Sequence, residues 1–236
     1  MSEILHLYHG SQYIISNPMP NFGKKYNDFG QALYTTLDID LGREWAVNTD
    51  GNGYVNHYTL DTEGLNILYL MVPDYSPLEW LSALIENRKI SGLFRAKKYL
   101  LDNFLPDYKT CDIIISYCAD DSYFKYAKDF LSNRIPCEVL YEAMKYGELG
   151  EQYVIKSQKA FSQLTFINAE KVSNKKWLHL REDRDYKARH DYILLRNESI
   201  GTNGLYINDI IKNNMTRNDD TIKQIFLQED DNAPRL

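Results

Sequence analysis

Cysteine is scarce in this chain of 236 residues, and it is poorly placed for chemistry. Cys111, Cys118 and Cys137 are odd in number and lack the C-x-x-C spacing. That argues against a disulfide framework and a zinc site, and it fits free thiols packed as small core residues in a reducing compartment. Long apolar runs are missing too. The richest, Ile67–Val72, has the length of a buried strand and falls far short of the ~18 residues a spanning helix requires, so no membrane is expected. The opening Met1-Ser2-Glu3-Ile4-Leu5-His6 has neither a basic region nor an apolar stretch, so no secretory signal is expected and the expected compartment is the cytoplasm. Positive charge is the minority sign, with 27 Lys and Arg against 33 Asp and Glu, a net −6. This excludes a globally basic nucleic-acid coat but leaves room for a local basic patch. His57, His179 and His190 suggest no metal site. What is abundant is tyrosine, 19 residues against 9 Phe. A flat ring with a polar tip suits cleft edges and stacking on planar ligands, although most of these rings belong to scaffold.

Gly and Asn clusters cut the first 70 residues into short units. These are Ile4–His9, a polar loop Gly10–Gly30, a run Ala32–Thr36, a helical Asp40–Asn48, and strands Tyr54–Leu60 and Leu65–Val72. Beyond Pro77 the spacing turns helical, through Leu78, Leu81, Leu84 and Ile85 and again across Ala96–Phe104. Asp112–Cys118 is a β-branched run and reads as a central strand. Asp120 or Asp121 can cap a helix running to about Ser132, and Pro136 opens another ending near Tyr146. Gln152–Ile155 and Leu164–Ile167 return to strand. The fold class is α+β, two groups of short strands with helices inserted between them. Between Lys171 and Arg196 there are eight Lys or Arg against four Asp or Glu, interleaved with Trp177, Tyr186 and Tyr192. A helical tail carrying Ile210, Ile211, Ile222, Ile225 and Phe226 follows, with an acidic tip.

Three short strings can carry chemistry. In Leu5-His6-Leu7-Tyr8-His9-Gly10-Ser11 a strand ends in a His, a Gly and a hydroxyl. Gly lets a ligand approach the backbone, and His9 and Ser11 supply directional hydrogen bonds; the plainer account is a strand end with a turn. In Asn27-Asp28-Phe29-Gly30-Gln31-Ala32-Leu33-Tyr34-Thr35-Thr36 a Gly loop feeds a strand whose Tyr34 is either a stacking wall or a core aromatic. In Glu148-Leu149-Gly150-Glu151-Gln152-Tyr153-Val154-Ile155 alternation sets Gln152, Val154 and Lys156 on one face, with Glu151, Tyr153 and Ile155 on the other.

Taken in order, these strings resemble the ADP-ribosyltransferase superfamily, most closely its His-Tyr-Glu branch, the diphtheria-toxin and poly(ADP-ribose)-polymerase-like group. With Tyr54-Val55-Asn56, Trp80-Leu81, Asn87-Arg88 and Ala119-Asp120-Asp121, the chain is similar to a bacterial domain family grouped there. The resemblance covers roughly residues 4–168. It implies a split β-sandwich with inserted helices over residues 1–170; the C-terminal helical extension over 171–236 lies outside it. It also implies NAD as substrate. His9 would bond the adenosine ribose, Gly10 would hold the nicotinamide carboxamide through its backbone, and Ser11 would assist. Tyr34 would stack on the nicotinamide, with Tyr8 and Tyr26 as further walls and Arg88 at the pyrophosphate.

The sequence departs from the superfamily pattern where Gln152 replaces the usual Glu. An amide keeps the hydrogen bond to the ribose hydroxyl but not the charge that steadies an oxocarbenium-like sugar. Glu151, Glu148 or Asp121 could supply a carboxylate, Glu151 only if a bulge turns it to the other face. The resemblance therefore implies transfer of a single ADP-ribose to a protein or nucleic acid, in a toxin or phage-defence setting with a neutralising antitoxin as partner. An NAD glycohydrolase and a non-catalytic NAD- or nucleic-acid-binding module are the alternatives.

Overall fold

The computed structural model of the chain describes residues 3–227 apart from 22, 73, 119–120, 147–149 and 202. In chain order the strands are β1 (Ile4–Ser11), β2 (Leu33–Thr35), β3 (Gly53–Asp61), β4 (Ile67–Tyr69), β5 (Ile113–Tyr117), β6 (Glu151–Ile155) and β7 (Leu164–Val172). The helices are α1 (Ile39–Ala46), α2 (Pro77–Asn87), α3 (Phe94–Phe104), α4 (Asp121–Leu131), α5 (Cys137–Lys145), α6 (Gln158–Ser162), α7 (Asn174–Glu198), α8 (Ile207–Lys212) and α9 (Asp220–Leu227). The class is the α+β mixture expected. Among the described residues no helix is long and apolar enough to cross a membrane.

Two compact units are present, each assembled from three stretches of chain. The first comprises Met1–Tyr69, Asp107–Cys118 and Leu149–Lys187; the second comprises Leu70–Pro106, Ala119–Glu148 and Ala188–Leu236. The two sets of stretches interleave along the sequence.

The first unit holds both sheets. One has the order β1-β3-β7 and is antiparallel throughout; the other has the order β2-β6-β5-β4, with only β4 and β5 parallel. Alternation along the strands sends Leu7, Tyr58 and Leu60 of the first sheet and Leu33, Ile113, Ile115, Tyr153 and Ile155 of the second into one shared core. The opposite side of β1 and β3 packs on α1 in a second cluster of Ala46, Val47, Val55 and Val172. Helix α1 starts where the Asp38 carboxylate accepts the Asp40 N–H at 2.8 Å. It approaches the sheet so closely that a Cβ on Gly10 would lie 2.4 Å from Ala46 N and 2.4 Å from the Gly42 carbonyl oxygen. The expected strand Leu65–Val72 shrinks to Ile67–Tyr69. It sits at a sheet edge with no buried residue, so a run that looks like core is only half covered.

The second unit is helical. Helix α2 opens with a capping box in which Ser76 and Glu79 bond each other's backbone, with Pro77 in the first turn. Its Leu78, Trp80, Leu81, Leu84 and Ile85 are buried. The Ser82 hydroxyl lies 2.7 Å from Leu78 O and 3.2 Å from Leu100 O of α3. The Tyr126 and Tyr192 rings are 4.0 Å apart, and the Tyr192 hydroxyl donates to the buried Asp129 carboxylate at 2.8 Å. Cys137 is buried here, Cys111 and Cys118 are buried in the first unit, and all three are free.

The basic stretch after Lys171 is mostly the 25-residue helix α7, and many of its cations have internal partners. Arg184 pairs with Glu44, and Arg181 donates to the Val47 carbonyl at 3.0 Å. His179 lies 3.3 Å from Asp183, a carboxylate neighbour one turn away. At the start of α3, Lys97 donates to Ile90 O at 2.6 Å and Lys98 pairs with Asp102 at 2.7 Å.

Candidate functional site

Among the described residues one backbone bridge joins the two sheets of the first unit. Tyr8 of β1 and Thr36, just past β2, exchange both backbone hydrogen bonds, N–H to O at 2.8 and 3.0 Å. Because Tyr8 turns its N–H and C=O away from β3 to make this bridge, Gly10, two residues on, turns its own the same way. The expected backbone clamp of Gly10 therefore faces the edge beside β2. The absence of a side chain at Gly10 has a separate cause, the backbone of α1 pressed against it.

His9 points to the other side of β1, with Asn56 as its cross-strand partner. Its Nδ1 lies 2.7 Å from the Tyr34 carbonyl oxygen. A carbonyl only accepts, so Nδ1 carries the proton, and neutral His9 presents Nε2 as an acceptor. Burial lowers the His9 pKa from 6.5, against the smaller raising effect of the Tyr34 carbonyl bond. Asn56 is fully buried; its Oδ1 accepts the Ile15 N–H at 2.8 Å and its Nδ2 donates to Tyr13 O at 3.1 Å. With Tyr58, whose hydroxyl donates to Ile15 O, it pins the start of the loop after β1. Ser11 serves that same turn, accepting the Tyr13 N–H at 3.2 Å.

Tyr34 pairs with Val154 across β2 and β6, so it shares a face with Gln152, as the alternation required. Its hydroxyl donates to Gly30 O at 2.7 Å and accepts the Phe29 N–H at 3.0 Å, which fixes the ring against the loop it follows. Lys156, on the same face, donates to Phe29 O at 2.6 Å. Gln152 is only 3% exposed. Its Nε2 faces three acceptors: Tyr117 O at 2.7 Å, Asp28 Oδ2 at 3.1 Å and Ser116 Oγ at 3.2 Å.

The other candidates fall as follows. Strand β6 pairs with β5 residue for residue, without a bulge, so Glu151 stays on the face opposite Gln152. Its carboxylate accepts the Tyr69 and Tyr153 hydroxyls, which raises the pKa of both phenols on top of burial. Tyr8 stacks on His57 at 4.8 Å, so its ring is engaged on the face of β1 that carries α1. Tyr26 is exposed. Arg88 and Asp121 belong to the second unit. Arg88 caps α2 with its guanidinium 5.7 Å from the Phe124 ring; Asp121 opens α4, and its side chain, like Glu148 and Asp120, lies outside the described residues. Asp28 and Ser116 were missed from sequence as partners of the site, and Asn56 stood in the string Tyr54-Val55-Asn56 without a role assigned to it. Asp28 stood within the quoted Gly-loop string, and its place two residues before a turn glycine was the only signal.

A family model described as a protein of unknown function (DUF3990) matches residues 5–166, more than half of the chain. No curated protein and no solved structure matches.

Proposed function

The chain belongs to that family of unknown function, DUF3990, and from this premise we propose that it is a mono-ADP-ribosyltransferase using NAD as substrate. One observation supports this reading above the others. The Tyr8–Thr36 bridge gathers His9, Gly10, Tyr34 and the Gln152 face, strings that are far apart in sequence, at one junction of two sheets. That two-sheet layout agrees with a split β-sandwich of the ADP-ribosyltransferase kind.

In the proposed reaction the C1′–N1 bond of the nicotinamide riboside breaks and its electron pair goes to the ring nitrogen, which turns a pyridinium into neutral nicotinamide. A nucleophilic atom of the acceptor forms the new bond to C1′ and releases its proton to water. Gly10 would hold the carboxamide through its N–H and C=O, and the immobilised Tyr34 ring would stack on the departing base. His9 Nε2 would accept from the adenosine ribose. Holding the base and the sugar in separate grips favours a stretched, charge-separated state over the bound substrate.

Burial of Gln152 favours a second reading, an NAD-binding module without transfer. Incubation with labelled NAD decides between them. Label bound to a macromolecule supports transfer, free ADP-ribose supports hydrolysis instead, and intact NAD beside measurable binding supports the module.

A further inference from the structure

We propose that Asp28 is the positioning residue of the Gln152 amide, and that it supplies the negative charge which Gln152 lacks. This rests on the NAD reading and deepens it. Asp28 is 3% exposed, and burying a carboxylate is costly unless fixed donors meet it. It occupies a turn closed by the Gly30 N–H to Asn27 O bond at 3.0 Å, with Gly30 at φ 76°, in the left-handed region that favours glycine. The turn is held from the face of the second sheet by the Tyr34 hydroxyl and by Lys156. Phe29 sits edge-on to Tyr108 at 5.5 Å. The turn that carries Asp28 is therefore the same one whose backbone groups fix the Tyr34 ring.

The chemistry of the contact gives it a direction. The Asp28 carboxylate and the Tyr117 carbonyl only accept hydrogen bonds, so the amide must turn Nε2 toward them. Its Oε1 is then the polar atom left to accept from a ribose hydroxyl. A glutamate at 152 would set its own oxygens against the same carboxylate and carbonyl, which two adjacent like charges oppose. Amide at 152 and carboxylate at 28 thus form a complementary pair that holds one negative charge near the reacting sugar, where the usual pattern has a single glutamate. The departure at Gln152 becomes a relocation of charge by one hydrogen bond.

The test is an exchange of the two groups. Nicotinamide release, KM for NAD and thermal midpoint are measured for wild type, Asp28→Asn, Gln152→Glu and the double variant Asp28→Asn/Gln152→Glu. Each single variant is expected to lose about 10- to 100-fold in kcat with KM within about threefold. The double variant, which again pairs one carboxylate with one amide, is expected to recover to within about fivefold of wild type. Full kcat in folded Asp28→Asn overturns the proposal. So does a double variant whose thermal midpoint returns while kcat does not, since that pattern marks a pair serving packing alone. If a single variant is unfolded at the assay temperature, the double variant decides by the same two readouts. A wild type that releases no nicotinamide and binds no NAD by calorimetry rejects the NAD reading itself, and this inference with it; the wild-type measurement alone separates that failure from the others.

Discussion

Replacing Gly10 with Ala is the sharpest test of how β1 and α1 are joined. The added methyl would lie 2.4 Å from Ala46 N, 2.4 Å from Gly42 O and 2.6 Å from Trp45 C. Carbon contacts are comfortable at ~3.5–4.0 Å, so the overlap is about 1 Å against three backbone atoms, none of which can rotate away. Relief requires α1 to lift from the sheet, but α1 is held on several sides. A Cβ on Gly42 would already sit 3.0 Å from Tyr8 Cβ, Ala46 and Val47 are buried, and Arg43 pairs with Glu170 at 2.7 Å. Overpacking of this kind costs about 1–3 kcal/mol, and rigid neighbours put Gly10→Ala at the upper end, about 3 kcal/mol. Urea unfolding monitored by tryptophan fluorescence should show a lower midpoint with an unchanged slope. A midpoint shift equivalent to less than ~0.5 kcal/mol would refute the close approach. The result also governs how the site is read, because lost NAD binding in Gly10→Ala reports on the ligand only at a matched folded fraction.

Other expectations concern single groups. His9 has a folded pKa below its ordinary 6.5, so its contribution to stability is present above that value and is lost as pH falls through the lowered one. Stability measured from pH 8 to 5 should therefore decline on the acid side, and His9→Asn should flatten that slope; an equal slope in both proteins assigns it elsewhere. Tyr34→Phe removes the hydroxyl that serves both Gly30 O and the Phe29 N–H. It should cost about 1–3 kcal/mol and weaken NAD affinity by calorimetry, and an unchanged midpoint would show the turn stands without it. Tyr192→Phe deprives the buried Asp129 carboxylate of a 2.8 Å donor. It should cost about 1.5–3 kcal/mol in denaturant unfolding, and a loss under ~0.5 kcal/mol would show that the bond contributes little.

Periodic and local features were legible from sequence. Alternation alone placed Gln152 and Glu151 on opposite faces of β6, and their partners Asp28 and Tyr69 lie on opposite sides accordingly. Ser76, Pro77 and Glu79 announce α2 because capping and first-turn chemistry act within four residues. What stayed hidden depends on contacts between distant residues. Asp28 lies 124 residues from Gln152 in a loop that has no period to read. Ile67–Val72 looks like core because hydropathy cannot tell an edge strand from a central one. The motif glycine Gly10 invited a ligand argument, and only the position of α1 shows that packing requires it as well. Tyr8 resembled a ligand wall until its cross-strand neighbour His57 took up the ring.

The pairing of β2 with β6 also sets a clock. Thr35 and Tyr153, joined across those strands by a 2.8 Å bond, are 118 residues apart, and closing so long a loop is slow compared with forming a hairpin. At translation rates of ~5–20 residues per second, Tyr34 emerges on the order of ten seconds before the strand that completes its face. Through that interval His9, Gly10 and Tyr34 exist as chain but not as a site. A ribosome-bound chain that stops short of β6 has the first two strands and lacks the partner strand that pairs with β2 at this junction.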